Sequence, residues 1–168
     1  MIQNTQFDES NYPILDGRFC LIKKIGSGAT CSVKLAKDLK DTKIYALKIL
    51  KNKLNTKSSS NQNEKLFKAE MDNLKKIDHR NIIKIIEGDK GTIKKPTGES
   101  KNVDYIVLEM ASNGELFDFL YFPKKGFSEY YARFVFHQLL DGIEACHKAG
   151  VAHRDLKTEN IMMNENWI

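Results

Sequence analysis

The stretch His153-Arg154-Asp155-Leu156-Lys157-Thr158-Glu159-Asn160 decides how this chain is interpreted. Transfer of a phosphoryl group needs a carboxylate that accepts a hydroxyl proton, a cation that neutralises the transferred group, and an oxygen ligand for magnesium. Asp155, Lys157 and Asn160 supply one of each within a single short segment. A charged surface loop is the alternative, but such a loop does not require this combination of side chains. The stretch therefore favours phosphoryl-transfer chemistry.

The residues upstream of this stretch have the pattern of helices. Ser128 is a suitable N-cap for a long helix that runs to about Lys148, and Gly150 suits its exit. Apolar residues recur in it at intervals of three and four on more than one side, so we expect it to be buried between other helices. A shorter helix is predicted over residues 115–122, ended by Pro123.

The first half of the chain has the pattern of strands. Apolar alternation predicts three strands, at residues 18–25, 33–36 and 43–50. Residues 82–86 and 105–109 are expected to form a hairpin pair, separated by a long exposed loop over residues 88–102. A strand-rich half followed by a helical half predicts two lobes.

A helix is predicted between the third strand and this hairpin. Residues 55–63 are rich in serine, asparagine and lysine and are expected to be a linker. After them, apolar residues recur at helical spacing from Leu66 to Ile77, which predicts a helix that ends at about Asp78.

The segment Gly26-Ser27-Gly28-Ala29-Thr30-Cys31-Ser32-Val33 joins the first two strands. Glycines let backbone amides approach phosphate oxygens closely, although glycine turns are also common in ordinary hairpins. A dinucleotide-binding motif is excluded, because that motif opens a helix and a strand follows here.

Lys48 lies on an otherwise apolar face of the third predicted strand. A charge in such a place is costly unless a partner neutralises it. Glu70, in the middle of the following helix, is a candidate partner. The alternatives are that the Lys48 side chain extends to solvent and that Glu70 faces solvent as well.

Composition narrows the class of protein. The 168 residues are 41% hydrophobic and carry a formal net charge of +5, which is modest, and the polar stretch from Lys51 to Lys57 is typical of a solvated face. Nucleic-acid binding is therefore not expected. The three cysteines show no metal-ligand spacing and indicate reduced thiols. With no leader or membrane-spanning pattern, a cytoplasmic or nuclear protein is expected.

Taken in order, the glycine segment, Tyr45-Ala46-Leu47-Lys48 and His153 to Asn160 resemble the motifs of eukaryotic-type protein kinases. The resemblance implies an α+β, bilobal fold with a complete strand-rich N-lobe and the first helices and catalytic loop of the C-lobe. The implied divisions are a polar extension at 1–17, an N-lobe of five strands plus helix C at 18–108, a hinge at 109–114 and a partial C-lobe at 115–168.

The same resemblance implies roles for individual residues. Lys48 is similar to the lysine that holds the α- and β-phosphates of ATP and pairs with Glu70. Asp155 resembles the catalytic base, Lys157 the cation at the γ-phosphate and Asn160 a Mg²⁺ ligand. The remaining residues resemble the nucleotide-binding positions: Ile25, Gly26 and Gly28 of the glycine segment, Val33, Ala46 and Met162 around the adenine, Leu108 as gatekeeper, the backbone of Glu109 and Ala111 at the hinge, and Glu115 at the ribose.

Substrate class also follows from the resemblance. Asn113-Gly114-Glu115-Leu116-Phe117, with Lys157 two places after Asp155, resembles serine/threonine kinases, most of all the calcium/calmodulin-dependent and AMP-activated-like group. Protein substrates with Ser or Thr acceptors are implied, and no regulatory partner is indicated. Glu115 and Glu159 match positions beside the peptide cleft, which predicts arginine before the acceptor. The alternative is that they serve only the ribose and the loop itself.

The chain departs from the family pattern in three places. Cys31 replaces the third glycine, and Thr158 stands where proline is usual. No Asp-Phe-Gly, Ala-Pro-Glu or activation segment follows Asn160 before residue 168, so the chain by itself is expected to be inactive. Its last residues predict a hairpin with strand 161–163, a turn at 164–166 and a return strand at 167–168.

Two other functions stay open. One is a non-catalytic, nucleotide-binding pseudokinase or scaffold, which has no chemical need for Lys48, Asp155 and Asn160 together. The other is a small-molecule phosphotransferase of the aminoglycoside type. Arg154 and Leu156 beside the aspartate favour protein substrates over that alternative.

Overall fold

A computed structural model of the chain describes residues 8–51, 57–121 and 126–165, with side chains in the first helix from residue 64 onward. The chain divides into two compact units. The strand-rich unit comprises Met1–Met71 and Ile85–Leu108, and the helical unit comprises Asp72–Lys84 and Glu109–Ile168. This division supports the predicted two-part architecture of an α+β protein, but it assigns Asp72–Lys84, which the prediction places in the first lobe, to the helical unit.

The strand-rich unit is a closed barrel. Its strands are β1 (Ile14–Leu15), β2 (Phe19–Ser27), β3 (Cys31–Asp38), β4 (Ile44–Leu50), β5 (Ile85–Lys94) and β6 (Ser100–Glu109). They are ordered β1-β2-β3-β4-β6-β5, and pairing of β1 with β5 closes the barrel. Alternate side chains point inward and form the core, as the period of two requires. The buried members are Leu15, Phe19, Leu21, Ala36, Leu47, Ile49, Ile93, Val103, Tyr105 and Val107.

Strand β1 is the one that apolar alternation does not predict. Residues 1–17 were expected to lie outside a five-stranded sheet, but Ile14 and Leu15 pair with both β2 and β5, and Leu15 is fully buried. A two-residue strand is too short to show a period, which is why the pattern misses it. The first seven residues of the predicted extension lie outside the described residues.

The hairpin of β5 and β6 is confirmed, but the predicted long loop within it is wrong. Ladder pairing continues from Ile85 opposite Leu108 to Lys94 opposite Ser100. The turn is therefore short, with Gly98 at a φ of +88° and the Lys95 amide donating to the Glu99 carbonyl over 2.8 Å. Polar residues on the outer face of the strands hid the alternation from the pattern.

Gly91 of β5 lies very close to Asp16, which follows β1. A β-carbon on Gly91 would lie 2.2 Å from the Asp16 Oδ2 atom. The other oxygen of that carboxylate accepts the Thr92 amide over 2.7 Å. Only glycine leaves room for this hydrogen bond.

Gly91→Ala is therefore expected to lower the free energy of unfolding by about 1–2 kcal/mol, because the Asp16 carboxylate must leave the Thr92 amide. Urea unfolding of the intact protein measures the change. In an Asp16→Gly background the clash is absent, and the same substitution should cost almost nothing. An equal cost in both backgrounds would contradict the role given to Asp16.

Helix α1 (Lys57–Leu74) begins and ends earlier than its apolar spacing predicts. Residues 57–63 of the predicted linker are helical, because adding a residue to an existing helix gains a hydrogen bond at little cost. Residues 55 and 56 lie outside the described residues. Phe67 and Met71 pack with Cys31, Leu50 and Ile106, which secures the helix to the strand-rich unit.

The helical unit contains β7 (Gly114–Glu115), α2 (Leu116–Tyr121), α3 (Glu129–Lys148) and β8 (Met162–Met163). The predicted cap of α3 is confirmed, since the Ser128 hydroxyl accepts the Tyr131 amide over 3.3 Å. Gly150 has a φ of +72°, the left-handed conformation expected at the exit. Among the described residues, no helix combines the length and apolar character needed to cross a membrane.

Strand β8 pairs with β7, which the sequence pattern does not predict. Gly114 lies opposite Met163, and Glu115 lies opposite Met162. Glu115, expected at the start of the short helix, is therefore the last residue of a strand. The return strand predicted at residues 167–168 and the helix end at Pro123 lie outside the described residues.

Candidate active site

The segment after α3 is shaped by a reversal at Arg154. This residue has a φ of +65°, which is uncommon for a residue other than glycine. The Asp155 amide donates to His153 Nδ1 over 3.3 Å across the bend. A 3₁₀ turn at Thr158–Asn160 then brings the chain back toward the aspartate.

Asp155 is held in place by Asn160. The Asn160 side-chain nitrogen donates to the Asp155 carbonyl and to its Oδ2 atom, both over 2.8 Å. Lys157 Nζ lies 3.4 Å from the same carboxylate oxygen. Hydrogen bonding from Asn160, followed by that from Lys157, lowers the pKa of Asp155 below its usual 3.8. With its side chain 67% exposed, Asp155 is an ionised, accessible acceptor for a proton.

The oxygen donors of this segment fit Mg²⁺. Asn160 makes both hydrogen bonds to Asp155 through its amide nitrogen, so its amide oxygen is the atom suited to a cation. Hard oxygen donors are what Mg²⁺ prefers, and it usually completes its shell with water and phosphate. Among the described residues, no cluster of three or more His, Cys, Asp or Glu side chains suggests a different metal.

In the strand-rich unit, Lys48 on β4 and Glu70 on α1 form an ion pair. Their side chains are 25% and 41% exposed, so the pair is partly shielded from solvent. The partner proposed for Lys48 from its position on an apolar face is thus brought to it by the fold. An ammonium fixed in this way is suited to bind an anion on its open side.

One face of β3 and β4 carries the residues that resemble the adenine site. Val33 lies opposite Lys48 and Gly26 opposite Val33, so these residues share a face with Ala46. Leu108 on β6 packs beside Leu50 and Ile106, in the cluster under α1. Ile25 is exposed, at the register shift between Lys24 and Gly26.

The cysteine that replaces the third glycine is buried. Cys31 is 8% exposed and packs with Leu50 and Phe67 beneath α1. The loop turn itself closes through the Gly28 amide, which donates to the Cys31 carbonyl over 3.0 Å. The substitution therefore adds packing to the strand-rich unit and leaves the glycine turn formed.

The remaining predicted nucleotide contacts lie in the helical unit. The Glu109 amide donates to the Lys84 carbonyl over 3.0 Å. Ala111 follows in a half-buried stretch without regular structure. Glu115 and Met162 are cross-strand partners and so lie on one face of the β7–β8 ladder.

Three contributors were not predicted from the sequence. His153 accepts the amide of Asp155, and Asn113 donates from its side chain to the Asn164 carbonyl over 2.7 Å. Lys51 contacts the glycine loop, although it belongs to a stretch that is typical of a solvated face. His153 and Asn113 lie within segments that resemble kinase motifs, and Lys51 directly follows β4, which pairs with β3 of the loop.

The Lys48–Glu70 ion pair of the strand-rich unit and the Asp155–Asn160 pair of the helical unit are both arrangements expected of a phosphoryl-transfer protein. The family model described as "Protein kinase domain" matches residues 19–167. The chain therefore belongs to the protein kinase family, with a strand-rich N-lobe and the first helices of the C-lobe.

The chain is similar to several serine/threonine kinases. It is 36% identical over 155 residues to serine/threonine-protein kinase SIK1 of Mus musculus, covering 92% of this chain and 18% of that protein. It is 36% identical over 154 residues to CBL-interacting protein kinase 26 of Oryza sativa subsp. japonica, covering 91% of this chain and 28% of that protein. The chain thus spans less than a third of the length of these relatives.

Proposed function

We propose that this chain carries the nucleotide-binding and catalytic-loop residues of an ATP-dependent protein serine/threonine kinase. The observation that carries the proposal is the Asn160 side chain, which holds Asp155 through two hydrogen bonds of 2.8 Å. Membership of the protein kinase family and similarity to serine/threonine kinases support it.

Each catalytic residue has a distinct part in this proposal. Lys48, oriented by Glu70, binds the α- and β-phosphates. Asp155 accepts the proton of the substrate hydroxyl, for which its lowered pKa keeps it ionised. Lys157 offsets negative charge on the transferred group. Asn160 would hold Mg²⁺, which when bound neutralises charge on the phosphates.

The nucleoside contacts are proposed on the same basis. Ile25, Val33, Ala46, Leu108 and Met162 would supply apolar contacts to the adenine. The Glu109 carbonyl and Ala111 amide would bond its edge, and Glu115 would meet the ribose. Gly26 and Gly28 allow the loop backbone close to the phosphates.

The lobes proposed for this kinase are an N-lobe that includes β1 and runs to residue 108, and a C-lobe at residues 115–168, joined by a hinge at 109–114. We also propose a cytoplasmic or nuclear location. The free thiols of Cys20, Cys31 and Cys146 support it, because such thiols persist in reducing compartments.

Transfer of the γ-phosphate from MgATP to serine and threonine peptides by the intact protein tests the proposal. Turnover of about 1–100 per second is typical of protein kinases. Tyrosine peptides serve as the control acceptors. Binding of MgATP without transfer to any hydroxyl would instead indicate the non-catalytic, nucleotide-binding function.

Two carboxylates predict the substrate preference of this kinase. Glu115 ends β7, and Glu159 lies in the 3₁₀ turn beside Asn160, where its Oε2 accepts the Thr158 hydroxyl over 3.1 Å. Carboxylates favour a basic side chain, and arginine over lysine, because a guanidinium can form two parallel hydrogen bonds.

The intact kinase is therefore expected to prefer arginine a few residues before the acceptor by about tenfold per well-formed pair, or about 1.4 kcal/mol. Glu115→Gln combined with Glu159→Gln should flatten this preference in a peptide library. Glu165→Gln, an exposed acid in the same unit, serves as the matched control. Selection of acidic or proline-containing peptides by the unaltered kinase would show that the two carboxylates do not set the preference.

A further inference from the structure

Lys51, the first residue after β4, holds the glycine loop through three hydrogen bonds. Its ammonium donates to the Ser27 hydroxyl over 2.8 Å and to the Gly28 carbonyl over 2.5 Å. Its backbone amide donates to the Thr30 carbonyl over 2.7 Å. The side chain and the backbone amide of Lys51 thus bind three residues of the loop, Ser27, Gly28 and Thr30.

The strand register places Ser27, which accepts a hydrogen bond from Lys51, on the face of the sheet opposite to Lys48. Side chains alternate along β4, so Ile49 faces away from the side that carries Lys48. Ser27 pairs with Ser32, and Ser32 pairs with Ile49, so Ser27 shares the face of Ile49. The ammonium therefore holds the loop from the side opposite to the phosphate-binding lysine.

This contact sets the direction of one peptide unit in the loop. In a trans peptide the carbonyl of Gly28 and the amide of Ala29 point in opposite directions. Because the Gly28 carbonyl accepts the Lys51 ammonium, the Ala29 amide points away from that ammonium. Backbone amides that point into the concave side of such loops bind phosphate oxygens.

The loop has little packing that could set this direction without Lys51. A β-carbon on Gly28 would meet nothing within 4 Å, and residues 27–30 are exposed. An exposed glycine segment loses much conformational entropy when it is ordered over a ligand. A charge-assisted contact formed in advance reduces that cost.

We propose that Lys51 is a positioning residue for the phosphates of the nucleotide: without touching the nucleotide, it orients the Gly28–Ala29 peptide so that the Ala29 amide can bind a phosphate oxygen. The ligand class is a nucleoside triphosphate, so the proposal rests on the proposed function. It assigns a role beyond the nucleotide-contact residues to a lysine outside the family motifs.

Nucleotide binding by the intact protein tests this role, with MgATP and adenosine compared by calorimetry. Lys51→Met keeps the apolar stem but removes the ammonium, and it is expected to weaken MgATP binding by about tenfold. Adenosine, which lacks phosphates, should bind within about twofold of the unaltered protein. The KM for MgATP should rise with little change in kcat.

Two control variants are compared with Lys51→Met. Lys51→Arg retains a cation that can reach the same oxygens, so most of the MgATP affinity should be kept. Lys43→Met removes the charge of the residue just before β4, at the opposite end of that strand from Lys51, and should change neither affinity. Equal weakening of ATP and adenosine by Lys51→Met would mean that Lys51 is merely structural and would overturn the proposal.

Hydrogen exchange without nucleotide gives a second readout that does not depend on kinase activity. Amides in residues 26–33 should exchange about tenfold faster in Lys51→Met than in the unaltered protein, in line with loss of a charge-assisted contact. Unchanged exchange, or unchanged MgATP affinity in this variant, would overturn the role of Lys51 alone. An unaltered protein that binds no MgATP would overturn the proposed function and, with it, the phosphate role of Lys51.

Discussion

Replacing Asp155 by Asn is expected to lower kcat of the intact kinase by about 10²–10⁴-fold, the usual contribution of a positioned general base. The amide oxygen of asparagine can still accept the hydrogen bond from Asn160, so the segment should keep its shape. What is lost is the negative charge that accepts the hydroxyl proton. Steady-state transfer from MgATP to a serine peptide measures the change.

The affinity for MgATP and the thermal midpoint should stay close to those of the unaltered protein. Asp141→Asn, an exposed aspartate on α3, is the matched control and should leave kcat unchanged. If Asp155→Asn turns over at the unaltered rate, Asp155 is not the base. A large fall in thermal midpoint would instead point to a structural role.

The second large effect is expected at Asp38, the one buried charged residue in the described part of the chain. It is fully buried, and its Oδ2 atom accepts Arg18 Nε over 2.8 Å while its Oδ1 atom accepts the Lys40 amide over 2.8 Å. Arg18 also contacts both oxygens of Glu87, at 2.9 and 3.0 Å. This network joins Arg18, the residue before β2, to β3 and β5.

Asp38→Asn is expected to lower the free energy of unfolding by about 3 kcal/mol at pH 7, because it leaves Arg18 without its buried counter-ion. Glu99→Gln removes an exposed partner of Lys95 and should leave stability almost unchanged, since exposed ion pairs contribute little. Urea unfolding at pH 7 compares the two variants. Equal effects would contradict the importance of burial.

The cost of Asp38→Asn should also depend on pH. Burial alone would raise the pKa of Asp38, but hydrogen bonds from Arg18 and the Lys40 amide outweigh it and leave the pKa below 3.8. A carboxyl with a depressed folded-state pKa contributes stability above its unfolded pKa and loses it as pH falls through the folded value. The difference between the two proteins should therefore be constant near neutrality and shrink below pH 3.8.

The features of the fold that are predictable from sequence are those with a long period or a local cap. Helix α3 has both, and its Ser128 cap and Gly150 exit match the structure. Strand β1 has neither, because two residues carry no period and its burial depends on β5, far away in sequence. The start of α1 was missed because its first turns are polar and gain their stability from packing of the later ones.

In the candidate site, contacts between residues close in sequence could be predicted from the sequence, whereas contacts between distant residues could be predicted only in part. Asp155 and Asn160 lie in one segment, so their proximity follows from sequence. The contact of Lys48 with Glu70 needed a helix to pass over a sheet, and a charge on an apolar face was its only advance signal. Pairing of Glu115 with Met162 depends on a two-residue ladder that leaves no pattern in the chain.

The β7–β8 ladder holds the two ends of the segment 116–161 next to each other. Besides the paired strands, the Asn113 amide donates to the Met163 carbonyl over 2.9 Å and the Leu116 amide to the Ile161 carbonyl over 2.8 Å. The helices between these points can therefore lengthen or shorten without changing the spacing of Glu115 and Met162. Insertions and deletions in this segment can therefore accumulate during evolution while Glu115 and Met162 stay paired.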